Sequence, residues 1–189
     1  MGRKLDIADM KIISSLQTDA RCSITSLARL AGVSRPTVMN KIKRLQKNGL
    51  LNLSARTDLV KLNFKLANIT VIFESKEKGS EFITRMKSCP RVLQILQMLD
   101  GDGYTMLVYA EDGDTLISFV EKLRNLVVGR FSWHRVKPMY GSEFILNIFS
   151  EKKEMTPCDV KCSECNYYKE YDCVGCPLSE DYVGRNIEV

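Results

Sequence analysis

The apolar residues of this chain recur at two different periods, and the place where the period changes divides it. Over the first fifty residues they fall three and four apart, the spacing of helices with one covered face. Ile7, Met10, Ile12, Ile13 and Leu16 mark a first amphipathic helix that ends near Asp19. SITSLARLAG gives a short second one, with Leu27, Ala28 and Ala31 inward and Gly32 free to take the left-handed conformation that ends it. Ser34 is a natural N-cap for SRPTVMNKIKRLQKNG, where Pro36 is tolerated in the first turn and Val38, Ile42 and Leu45 share a buried face. The side left over carries Arg35, Thr37, Asn40, Lys41 and Arg44. Gly49 closes this helix, and LLNLSARTDL alternates like a short strand or wing.

From Ala67 the period shortens to that of strands. LANITVIFES reads as a strand, and GSEFITRMKSC as a helix with Phe82, Ile83 and Met86 on one side. RVLQILQMLD and YTMLVYAED are strand-like runs either side of GDG, a turn signal. DTLISFVEKLRNLV is a helix with Leu116, Phe119, Val120, Leu123 and Val127 inward, and FSWHRVKPM and SEFILNIF complete the segment. The order β-α-β-β-α-β is that of a ferredoxin-like fold, whose two helices cover one face of the sheet. Apolar residues on the other face would be wet in a monomer, so pairing through the sheets is expected.

Charge follows the same division. Residues 1–65 hold 13 Lys and Arg against 4 Asp and Glu, residues 66–150 hold 10 against 10, and residues 151–189 hold 5 against 9. Only the first segment suits a polyanion. A short helix, a turn and a second helix with a polar, basic face have the layout of a helix-turn-helix, whose second helix enters the DNA major groove. Arg can bond guanine and Asn adenine there, while Lys41, Lys43, Arg44 and Lys47 can neutralise phosphates. The expected DNA-contacting set is Ser34, Arg35, Thr37, Asn40, Lys41, Arg44 and Lys47.

Residues 5–51, LDIADMKIISSLQTDARCSITSLARLAGVSRPTVMNKIKRLQKNGLL, resemble the DNA-binding domain of the Lrp/AsnC (feast/famine) transcription regulators. Leu5-Asp6, Asp9, Asp19-Ala20-Arg21, Leu27-Ala28, Gly32-Val33-Ser34, Val38, Ile42, Leu45 and Gly49 carry the resemblance, which extends to about residue 149. It implies a C-terminal domain that pairs subunits, builds higher oligomers and binds a small-molecule effector, commonly an amino acid, between them. Two-fold pairing would present two reading helices to a roughly palindromic site. Where the family carries an acidic residue after the glycine of the turn between the second and third sheet strands, this chain has Gly101-Asp102-Gly103-Tyr104 followed by Thr105. Gly101, Asp102 and Tyr104 are the expected effector contacts, and this departure leaves two readings, Asp102 compensating for the missing acid or a pocket that senses something other than an amino acid.

Five of the seven cysteines fall in CDVKCSECNYYKEYDCVGCP, spaced Cys158-x3-Cys162-x2-Cys165-x7-Cys173-x2-Cys176. Two C-x2-C pairs joined by a short loop can present four thiolates in a tetrahedron, which suits zinc. Cys162, Cys165, Cys173 and Cys176 are the expected ligands, with Gly175 in a tight knuckle and Cys158 as an alternative or exchangeable ligand. An iron–sulfur cluster is the alternative cofactor, and disulfide-forming or reactive thiols are a third reading. Cys22 and Cys89 read as small core residues, and His134, the single histidine, as a surface or packing residue.

The expected architecture is α+β. It comprises a winged helix-turn-helix over 1–53, a linker or hinge strand over 54–66, a ferredoxin-like dimerisation and effector domain over 67–150, and a small cysteine-rich metal-binding module over 151–189. No apolar run approaches the roughly 18 residues of a membrane span, and no secretory signal opens the chain, so a cytoplasmic protein with no membrane partner is expected. Gly-rich phosphate-binding motifs are absent, and one histidine cannot assemble a nucleophile and base, so the chain does not read as an enzyme. The expected partners are double-stranded DNA, further copies of the chain and a small-molecule effector. An iron–sulfur oxidoreductase and a co-regulator that no longer binds DNA are the alternatives.

Overall fold

The structure, a computed structural model, describes residues 4–99, 101–146 and 151–184, and the chain forms two compact units, Met1–Ala55 and Arg56–Val189. The described part of the first unit holds three helices, α1 (Ile7–Thr18), α2 (Ile24–Ala31) and α3 (Arg35–Lys47). Asp6 caps α1 in a reciprocal box: its carboxylate accepts the Asp9 amide at 2.7 Å, and the Asp9 carboxylate accepts the Asp6 amide at 3.1 Å. Gly32 ends α2 in the left-handed region at φ 70°, and Ser34 Oγ accepts the Thr37 amide to start α3. Ile12, Leu16, Leu27, Val38, Leu45 and Leu51 form the core, with Ala28, Ala31 and Ile42 packed against it. Each fully buried aliphatic side chain there contributes about 1.5–3 kcal/mol.

Two expectations for this unit change. Ile7 and Met10 are 78% and 54% exposed, and the inward side of α1 is instead Asp9, Ile12 and Leu16. The wing is also absent from the described residues of the first unit. The one strand that the alternating run supplies, β1 (Thr57–Asp58), pairs antiparallel with β6 (Glu143–Phe144) inside the second unit. The expected strand SEFILNIF is thus reduced to two described strand residues; residues 147–150 lie outside the described set.

The second unit is built on β2 (Lys65–Phe73), α4 (Lys76–Met86), β3 (Val92–Gln97), β4 (Gly103–Ala110), α5 (Gly113–Leu126) and β5 (Gly129–Val136). The strands form one antiparallel sheet in the order β3-β4-β2-β5, which is the ferredoxin-like arrangement. Ile69 stands between Met106 and Trp133 in the register, and side chains alternate from there. Ala67, Ile69, Val71 and Phe73 meet Met106, Val108 and Ala110 under Phe82, Ile83 and Met86 of α4 and Leu116, Phe119, Val120 and Leu123 of α5.

The other face is less apolar than expected. Asn68, Thr70, Thr105, Ser132 and His134 alternate onto it with Leu107 and the half-exposed Leu96. One end is already covered, because most of the expected linker folds back over it. Leu59 and Phe64 bury Leu66 and Tyr109, and the Phe64 and Tyr109 rings stack with centroids 5.5 Å apart. No helix of the described residues is long and apolar enough to cross a membrane.

The cysteine-rich segment belongs to this same unit and is no free-standing module. It contains a one-turn 3-10 helix at Cys162–Glu164 and α6 (Asn166–Glu170). Cys158 joins the main core, the Val174 amide donates to Thr115 Oγ1 on α5 at 3.1 Å, and Arg85 of α4 pairs with Asp159 at 3.5 Å.

Candidate nucleic-acid interface and cysteine-lined cavity

Helix α3 sorts its side chains by the 100° turn between residues. Val38 and Leu45 are buried, whereas Ser34, Arg35, Met39, Asn40, Lys43 and Lys47 are exposed and Thr37 is half-buried. Thr37 Oγ1 lies 2.8 Å from Ser34 Oγ, so both hydroxyls serve the helix start.

Lys41 and Arg44 stand on the flank between these faces, and both turn toward α1. Lys41 Nζ reaches Asp6 Oδ2 at 2.5 Å and Asp9 Oδ1 at 3.0 Å, and Arg44 Nη2 reaches Asp9 Oδ2 at 2.6 Å. The Lys41 side chain is only 13% exposed and that of Asp9 is 1% exposed. This departs from the fully outward face read from the pattern. Burial pushes the Asp9 carboxyl up, but the Asp6 amide and the Lys41 and Arg44 cations outweigh it and hold the group below the ordinary 3.8. Lys41 raises its own affinity for the proton through its bond to Asp6, against the effect of burial. The sequence reading missed Asp9 as the anchor of this cluster; the available signal was an acid three residues before Ile12, on the side of α1 that faces inward.

The expected effector residues do not converge. Asp102 is exposed and pairs with Lys76 at 3.7 Å, Gly101 stands open, and Tyr104 packs edge-on against Phe73 at the margin of the core. A wider hollow of about 370 Å³ lies instead between Phe64, Lys65, Gly113, Arg135 and Lys137. His134 is exposed on β5.

The structure brings all five clustered cysteines to one place. Cys158, Cys162, Cys165, Cys173 and Cys176 line a single cavity of about 50 Å³, together with Arg91, Ser118, Lys122 and Tyr168. All five are free thiols. The Cys176 amide donates to Cys162 Sγ at 3.3 Å, so the two C-x2-C pairs touch. Burial pushes the thiols of Cys158, Cys173 and Cys176 up, and that of Cys89 just behind them up to about 12. Gly175 takes φ 85°, and a Cβ there would stand 3.0 Å from the Asp181 carbonyl, so the knuckle requires glycine. Among the described residues no three His, Cys, Asp or Glu donors stand at metal-holding spacing as placed.

Behind the cavity lies a buried ion pair. Arg91 bonds Glu111, each side chain 3% exposed, and extends Nη2 to the Gly175 carbonyl at 2.5 Å. Tyr182 donates its hydroxyl to Glu111 at 2.7 Å. Glu111 keeps Arg91 charged in spite of its burial.

Comparison with known proteins places this geometry. Residues 5–46 match the AsnC-type helix-turn-helix domain. The chain is 31% identical over 125 residues to the HTH-type transcriptional regulator AldR of Mycolicibacterium smegmatis, covering 63% of this chain and 72% of that one. It is 28% identical over 118 residues to the HTH-type transcriptional regulator LrpA of Pyrococcus abyssi, covering 61% of this chain and 83% of that protein. Its fold is shared by a transcriptional regulator of Neisseria meningitidis solved as an L-Met complex, with a TM-score of 0.59 and 20% identity over 73% of this chain and 93% of that one. That neighbour is nearly used up by the match, while more than a quarter of this chain stays outside it. The chain belongs to the Lrp/AsnC family of HTH-type transcriptional regulators.

Proposed function

We propose that the protein is a sequence-specific DNA-binding regulator that reads the major groove with the outward face of α3. The observation that carries this is the division of labour on that helix. Arg35, Asn40, Lys43 and Lys47 face solvent, while Lys41 and Arg44 spend their charge on Asp6 and Asp9. Arg35 and Asn40 then read base edges, Lys43 and Lys47 meet phosphates, and Ser34 and Thr37 hold the helix N-terminus toward the backbone. Lys41 and Arg44 hold the pose of the helix, and Arg44, the more exposed of the two, reaches phosphate only with its free edge.

The active form in this reading is a homodimer or a higher oligomer joined through the second unit, working in the cytoplasm with its DNA. A two-fold pair places two α3 helices on half-sites about one helical turn apart. A small molecule held at the second unit biases that pair, as the L-Met complex of the structural neighbour suggests. The cysteine segment makes the response metal- or redox-dependent.

Selection of bound duplexes from a random-sequence pool tests the reading. A recovered motif with two inverted half-sites supports it; recovery of no motif, with binding that depends only on salt, refutes sequence-specific regulation.

A further inference from the structure

We propose that the cysteine-lined cavity is a thiolate site for a single zinc ion, held by Cys162, Cys165, Cys173 and Cys176, with Cys158 as a packing residue of its wall. The cavity, at about 50 Å³, exceeds the roughly 10–15 Å³ a water needs but falls well below the hundreds of Å³ that an organic ligand fills. An ion suits that space. The two C-x2-C pairs meet through the Cys176 amide on Cys162 Sγ, a bond that favours the thiolate form of the sulfur.

Three further side chains line the same space. Ser118 is 3% exposed, and its Oγ has no hydrogen-bond partner among the described residues, yet it lines the cavity. A thiolate sulfur held there would accept a hydrogen bond from that hydroxyl and remove the cost of an orphaned buried donor. Four thiolates on a divalent ion carry a net double negative charge, and Lys122 in the wall is of the sign that offsets part of it, while the charge of Arg91 is matched by Glu111.

The segment is anchored to its unit through Thr115, Arg91 and Glu111, but its own apolar interior is small. Its own cluster is Cys162, Cys176 and Leu178 with Tyr168 against them, too little apolar surface to fold it alone. Asp181 ties the two loops by accepting the Ser163 amide at 2.9 Å and, through its carbonyl, the Tyr168 hydroxyl at 2.9 Å. No three donors among the described residues stand at ligand spacing as placed, so filling the site requires the ion to draw the two pairs together. Cys158 differs from the other four: it belongs to the main core with Cys89 and packs with Val160. The Arg91 bond to the Gly175 carbonyl joins the site to Glu111 at the end of β4.

The test uses the full chain, purified anaerobically with reductant, stripped with chelator and titrated with Co²⁺ and then Zn²⁺. Saturation at a single equivalent, with the visible bands of tetrahedral thiolate cobalt that Zn²⁺ bleaches, is the expected result. Cys162→Ser and Cys173→Ser should each weaken binding about tenfold or more, since even a supporting partner of a ligand is worth that much. Cys158→Ser should leave the spectrum intact. Alkylation followed by peptide mapping needs no variant: Zn²⁺ should protect Cys162, Cys165, Cys173 and Cys176 in the wild-type chain. Absence of saturable binding, a brown iron chromophore in the protein as isolated, equal alkylation with and without Zn²⁺, or loss of the site in Cys158→Ser would each overturn the assignment. DNA selection reads the first unit separately, so the two proposals fail independently.

Discussion

Arg44 Nη2 lies 2.6 Å from Oδ2 of Asp9, a carboxylate that is 99% withdrawn from solvent although no apolar pattern calls for it there. The pair joins α3 to α1 across 35 residues of sequence and, with Lys41, fixes the rotation of α3 about its axis. The face that α3 shows to solvent is therefore set by an ion cluster as well as by Val38 and Leu45.

Replacing Asp9 should cost stability in the first unit. Asp9→Asn strands Arg44 and leaves Lys41 with Asp6 alone, and because Arg44 keeps partial contact with water the loss should be about 2–3 kcal/mol, below the 3–5 of a fully buried pair. Native-state hydrogen exchange of the α1 and α3 amides measures it.

The same cluster predicts an acid limit. Asp6 and Asp9 are both held below the ordinary 3.8, Asp6 chiefly by its bond to Lys41. A carboxyl whose folded value is lower than its unfolded value stabilises the fold in full above the unfolded value, and that stability is lost as pH falls through the folded value. The first unit should therefore weaken progressively below about pH 4, and Asp9→Asn should flatten this dependence in circular dichroism melts across the acid range.

Arg91→Met should destabilise the second unit by about 3–5 kcal/mol, because Glu111 would remain buried without its cation. Trp133, the one tryptophan, packs against the core of that unit and reports its urea unfolding by fluorescence. Adding Glu111→Leu should recover much of the loss, since removing both charges leaves neither unpaired.

Gly175→Ala should loosen the cysteine segment alone. At φ 85° any side chain is strained by roughly 1–2 kcal/mol, and the new Cβ would press on the Asp181 carbonyl. Faster proteolysis within residues 158–184, with unchanged Trp133 unfolding, is the expected outcome.

Much of this architecture was legible because it rests on apolar spacing. Phe82, Ile83 and Met86 on α4, and Leu116, Phe119, Val120 and Leu123 on α5, sit inward where a 3.6-residue period puts them. Ser34 and Gly32 bound the turn because each solves a local backbone problem. What escaped depends on distant partners. Asp9 is buried by cations on α3, and Thr57–Asp58 forms a strand only because Glu143–Phe144 pairs with it, so neither shows in a local window. Ile7 and Met10 misled for the same reason: their period fits a helix, but α2 and α3 cover a different side of it. The cysteine spacing showed that the thiols belong together, yet not that they would lie on Arg91 and α5.

The most direct test of the account is a mobility-shift series with Arg35→Ala, Asn40→Ala and Lys47→Ala on duplexes carrying single base changes, repeated across salt concentrations. The Arg35 and Asn40 variants should lose about 1–3 kcal/mol of discrimination at one base position each. Lys47→Ala should weaken every duplex alike and lower the salt slope by about one. Unchanged base preference in all three variants would contradict the placement of α3 in the groove.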